Sequence, residues 1–120
     1  MNTKEIGSLA EEAALSKLLE EGYTLYKRNY FVPNCGELDL VVTKNGELFV
    51  AEVKARQIRN DNVWGSPVSA ITRSKFLKLL KTTRIMMARD GLYDMNINFL
   101  AISVGINEVG FIQNVEIIPF

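Results

Sequence analysis

The chain has 120 residues, which suits one domain with a modest core, and its 48% hydrophobic and 23% charged residues exclude a disordered chain. There is no histidine and a single cysteine, Cys35, so an internal disulfide, a cysteine- or histidine-based zinc site, and Ser-His-Asp or Cys-His catalysis are all excluded. The formal net charge is zero but unevenly spread: residues 54–89 hold nine Lys/Arg against Asp61 alone, while residues 1–53 and 90–120 are each acidic. That basic third is either a solvated helix face or a surface for a polyanion.

Ser8 followed by Glu11 has the spacing of a capping box, and Leu9, Ala13, Ala14, Leu15, Leu18 and Leu19 recur near helical spacing up to Gly22, predicting a first helix. Residues 23–32 are aromatic-rich and partly alternating, which predicts a strand; Pro33, Asn34 and Gly36 make a turn. A second strand is expected over 38–42, then the hairpin signal Asn45-Gly46, then a nearly continuous apolar strand over 48–55 of the kind buried on both faces. Residues 56–71 read as irregular, with Gly65 and Pro67. Between them, Trp64 either closes the core or offers a face for base stacking.

A second helix is predicted from about 72 to 89. It places Phe76, Leu79, Leu80, Thr83 and Met87 on one side and Lys75, Lys78, Lys81 and Arg89 on the other, with Gly91 as its stop. Strands over 96–104 and 111–118 follow, joined by a loop bounded by Gly105 and Gly110. The order α-β-β-β-α-β-β makes an α/β domain. No apolar run approaches the roughly 18 residues of a membrane span. With no charged-then-apolar start, a cytoplasmic location is expected and no membrane partner.

One spacing bears on chemistry. Glu52 and Lys54 are two residues apart on the third strand and share a face, and Asp39 lies on the neighbouring hairpin strand, with Glu37 on its face. Without histidine, a metal must be held by oxygens, which suits magnesium, manganese or calcium. Two carboxylates on adjacent strands with a lysine beside one are what metal-assisted phosphodiester cleavage requires: the metal makes a water more acidic and offsets phosphate charge, and the lysine stabilises the transition state. A structural salt bridge is the alternative for Glu52 and Lys54.

The sequence resembles the YraN-type family of small bacterial proteins, described as endonucleases similar to archaeal Holliday junction resolvases within the PD-(D/E)xK superfamily. The matching pieces are Gly7, Ala10-Glu11 and Ala14; Tyr26 to Asn29; Gly36-Glu37-Leu38-Asp39; Phe49-Val50-Ala51-Glu52-Val53-Lys54 with Arg56; and Gly65-Ser66-Pro67, Ala70-Ile71 and Lys75. The resemblance covers about residues 7–104.

It implies a restriction-endonuclease-like core, with a mixed central sheet flanked by helices. It makes Asp39 and Glu52 ligands of Mg2+ or Mn2+, Lys54 the catalytic lysine, and Glu11 a further acid beside the metal. For Glu11 the capping box is the alternative, and for Glu37 a turn-stabilising role is preferred. Arg56, Arg73, Lys75 and Lys78 are the candidate nucleic-acid contacts, against a plain solvent role for Lys75.

DNA, branched or structured, is the implied partner, and a resolvase role would bring a homodimer, because two strands must be cut symmetrically. The competing function is a nucleic-acid-binding or protein-interaction module without catalysis. The chain departs from the family at Ser69 and at Asn96-Ile97-Asn98, which puts in question the hydrogen bonds those positions supply. Cys35 is expected to have no role.

Overall fold

The computed structural model describes residues 2–59, 62–63 and 71–120. After helix α1 (Thr3–Glu20), strands β1 (Thr24–Val32), β2 (Gly36–Lys44) and β3 (Glu47–Arg59) form an antiparallel meander. A short β4 (Asn62–Val63) turns back onto the end of β3, and α2 (Arg73–Asp90), β5 (Ile97–Asn107) and β6 (Ile112–Pro119) follow. β5 runs parallel to β3 and antiparallel to β6, so the sheet order is β1-β2-β3-β5-β6 and the sheet is mixed. Parallel neighbours need a crossover, which the segment containing α2 supplies. The predicted order holds, with β4 added in the stretch read as irregular. Trp64, Gly65, Pro67, Ser69 and Ala70, each named in the sequence reading, lie outside the described residues.

Alternation along the central strands sorts two cores. Leu40, Val42, Ala51, Leu100, Ile102 and Val104 pack with Ala10, Ala14, Leu15 and Leu18 of α1. Val41, Leu48, Val50 and Phe99 pack instead with Leu79, Met86 and Met87 of α2. A helix therefore covers each face, and β3 is apolar on both because both are buried.

The turns follow local chemistry. Asn45 and Gly46 take φ of 53° and 76°, the pair of left-handed residues that a two-residue hairpin loop demands. Gly91 ends α2 at φ 71°.

Three expectations are corrected. α1 begins at Thr3, capped by Asn2, whose Oδ1 accepts the Glu5 backbone N–H at 2.9 Å; Ser8 is exposed within the helix and caps nothing. Ile6 packs against the core, which holds the first turn in place despite Gly7.

β3 runs four residues past the predicted end, because parallel pairing with β5 continues from Leu48–Ile97 to Ile58–Asn107 although the apolar pattern stops at Ala55. Gly105 lies inside β5 and does not bound a loop. A Cβ there would press on Asn114 Oδ1 and lie 2.6 Å from Ile58 Cδ1, so glycine makes room for the ends of two side chains from the neighbouring strands.

Asn98, where the family pattern differs, still ties β5 to β3 by donating from Nδ2 to Glu47 Oε1 at 3.2 Å and to the Leu48 carbonyl at 3.3 Å. No helix among the described residues is long and apolar enough to cross a membrane.

Candidate metal centre

β2 and β3 stay paired from the hairpin turn as far as Leu40 opposite Ala51. The next step would set Asp39 opposite Glu52, and there the ladder stops. Asp39 Oδ2 instead accepts the backbone N–H of Val53 at 2.9 Å, so a side chain takes the place of a strand partner. Glu52 shares the face of Val50, which α2 covers, while Leu38 and Val41, three residues apart on either side of Asp39, both pack on that face, so strict alternation is interrupted at Asp39. The two carboxyl groups meet just beyond the last paired residues, through a hydrogen bond between the Asp39 and Glu52 side chains.

Their electrostatics follow from this placement. Burial, then the charge of Asp39, pushes the Glu52 carboxyl up to about 7, while the ammonium groups of Lys75 and Lys54 act in the opposite direction. Asp39 is also raised by burial, against the pull of the Val53 N–H. Glu52 Oε1 faces Lys75 Nζ at 3.8 Å, and Glu52 Oε2 is buried with no hydrogen-bond partner among the described residues.

A buried carboxylate oxygen left unpaired is costly, and a hard cation is one group that removes the cost. Among the described residues no three acidic or cysteine side chains are grouped closely enough to hold an ion by themselves. Magnesium does not need three: it keeps several waters and commonly takes one or two carboxylates. The donor set fits Mg2+ or Mn2+.

Glu11 lies outside the converging pair but within its field. With α1 starting at Thr3, the capping-box reading of Glu11 falls away; the residue is half-buried in mid-helix. Burial and the charge of Asp39 raise its pKa, and hydrogen bonding by the Asn29 side chain works against them. Exposed Glu37 adds negative charge to both Asp39 and Glu11.

Lys54 is exposed and acts on Glu52 through space. Arg56, on the same face, donates from Nη1 to Oγ of the buried Ser103 at 3.2 Å. Arg73 and Lys78 are exposed on the first turns of α2. Lys75 departs from the predicted outward stripe: it is half-buried and turned towards Glu52.

Two residues here carried no functional reading of their own. Asn29 falls between the register pairs Arg28–Leu40 and Tyr30–Leu38, directly across β1 from Asp39, with φ of 50°. An asparagine in mid-strand is disfavoured, which was the available signal. Ser103 is a buried polar residue flanked by the apolar Ile102 and Val104; its link to Arg56 needed the β3–β5 register.

The family model matching residues 10–104 spans Glu11, Asp39, Glu52, Lys54 and Lys75. The chain belongs to the uncharacterised protein family UPF0102. A UPF0102 protein of Fusobacterium nucleatum is 33% identical over 115 residues, covering 96% of this chain and 93% of the relative. One from Dictyoglomus turgidum is 33% identical over 119 residues, covering 99% and 98%. A relative from Thermus thermophilus reaches 43% over 86 residues, covering 72% and 73%. None of these names states an activity.

Proposed function

We propose that this UPF0102 protein is a divalent-metal-dependent endonuclease with a restriction-endonuclease-like core, hydrolysing phosphodiester bonds in DNA of branched or otherwise structured form. The observation that carries the reading is the Asp39–Glu52 pair: two carboxyl groups within hydrogen-bond reach of each other where two strands stop pairing, with Glu52 Oε2 buried and given no donor by the described residues. The salt bridge to Lys75 engages only Oε1, so among the described residues no cation or donor meets Oε2.

Mg2+ or Mn2+, when bound, supplies Lewis-acid stabilisation at the scissile phosphate and a more acidic water. The chain's own residues do the rest. Asp39, fixed through one oxygen by the Val53 N–H, presents the other, and Glu52 presents Oε2. Exposed Lys54 lies one pleat along the same face, where its ammonium meets charge developing on the phosphate. Arg56, steadied by Ser103, continues that cationic line along β3, and Arg73, Lys75 and Lys78 extend it onto α2. These five cations, all from the basic third of the sequence, would give a chain of zero net charge a local surface for a polyanion.

Incubation of the purified protein with Mn2+ and labelled linear and four-way DNA tests the reading. Metal-dependent cleavage by the wild type, lost in Asp39→Asn and Glu52→Gln, is expected. A wild type that binds DNA and cuts none of these substrates would hand the fold to a binding module instead.

A further inference from the structure

Lys75 occupies the third position of α2 and Arg73 the first, in an opening turn that has no acid. A helix N-terminus carries partial positive charge and disfavours cations. Something other than the helix therefore accounts for the lysine, and what it faces is Glu52, with Nζ 3.8 Å from Oε1. Its charge acts on Asp39 as well. One ammonium thus stands against both carboxylates assigned above to a metal, yet among the described residues no donor reaches Glu52 Oε2.

The two ends of this contact differ in freedom. The Lys75 side chain is 41% exposed and that of Glu52 only 17%. The Lys75 backbone is pinned, its N–H donating to Thr72 Oγ1 at 3.1 Å, so any movement belongs to the four-carbon stem. A half-exposed ion pair at this separation holds the ammonium weakly.

We propose that Lys75 is the resident counter-ion of the Asp39–Glu52 pair, that a divalent cation displaces it, and that the released ammonium then engages a DNA phosphate. The inference rests on the metal-centre reading and adds to it a coupling between metal and DNA. In the metal-free protein Lys75 lowers the mutual repulsion of two buried carboxylates. A divalent ion held by Glu52 Oε2 and the free Asp39 oxygen takes over that task and repels the ammonium at Oε1. The freed charge turns outward where the basic line of β3 and α2 meets the polyanion. Reciprocity requires DNA to tighten metal binding by the factor with which metal tightens DNA.

Titration calorimetry with Mn2+ alone, on wild type, Lys75→Met, Lys75→Gln and Lys81→Met, tests the exchange. Removing the competing ammonium should raise Mn2+ affinity about tenfold in both Lys75 variants, within the usual range of site–site couplings. Loss of the exposed Lys81, nearly two turns away, should change it less than about twofold, which separates local exchange from net charge. In duplex-DNA binding, the steepening of the log affinity against log salt plot that Mn2+ produces should shrink by about 0.9 in Lys75→Met, one phosphate contact. A wild type that binds Mn2+ alongside folded Lys75 variants of equal or weaker affinity overturns the exchange and leaves the metal centre standing. A wild type that binds no Mn2+ removes the metal centre, and the exchange with it.

Discussion

The two ends of the β2–β3 hairpin are made by the same pair of strands and are built for opposite purposes. From Leu40–Ala51 to the Asn45-Gly46 turn every step is paired, and Leu40, Val41, Val42, Leu48 and Val50 are at most 1% exposed, between two helices. One residue further out the ladder ends and two carboxylates take the place of aliphatic side chains, with one oxygen unmatched. The closed end supplies the rigidity that lets the open end hold like charges together, because buried carboxylates a few ångströms apart repel unless the backbone fixes them. Substitutions at the two ends should therefore fail in different ways.

The largest effect is expected at the closed end. Leu40→Ala removes a fully buried side chain and should cost about 2–5 kcal/mol in chemical denaturation. Mn2+ affinity of the molecules that remain folded should stay unchanged; a lost metal site with intact stability would break the contrast.

At the open end the loss should fall on rate. Lys54→Ala should lower DNA cleavage by about 10²–10³-fold, the scale of one preorganised electrostatic group, with a thermal transition close to that of the wild type because Lys54 is exposed. Cleavage at the wild-type rate by the folded variant would remove Lys54 from the mechanism.

Glu52 gives the contrast a pH dependence. Its carboxyl ionises near the ordinary value of 4.5 in the unfolded chain and at about 7 in the folded one. Between those values the unfolded state has released a proton that the folded state keeps, so this group's contribution to stability falls as pH rises through the window. Glu52→Gln should therefore stabilise the metal-free protein by up to about 3 kcal/mol at pH 8 and by nothing at pH 4. Equal melting shifts at both pH values would show that burial does not perturb this acid.

The smallest change concerns α1. Asn2→Ala should cost about 1 kcal/mol and Ser8→Ala almost nothing, since only Asn2 caps the helix. Urea midpoints of the two variants check this.

Local rules wrote much of this fold into the sequence. Asn45-Gly46 and Gly91 specify their turns through backbone conformations few other residues adopt, so the hairpin and the end of α2 were legible. The hairpin in turn made the neighbourhood of Asp39 and Glu52 legible, because a two-residue turn fixes the register; the interruption of alternation at Asp39, between Leu38 and Leu40, was not legible. Where two local signals competed, the sequence could not arbitrate. Asn2 and Ser8 are both good caps, and the decision fell to Ile6, whose packing against the core holds the extra turn.

What the tertiary structure alone decided is which distant groups meet at the open end. Periodicity placed Lys75 on a solvent stripe; the seating of α2 over β2 turned it to Glu52. Asn29 reaches the neighbourhood of Asp39 and Glu11 through the β1–β2 register, and Arg56 finds Ser103 through the parallel pairing of β3 with β5. The physical reason is range. Backbone conformation and strand register across a tight turn depend on a few adjacent residues, whereas the approach of a helix to a sheet depends on how every buried side chain between them packs.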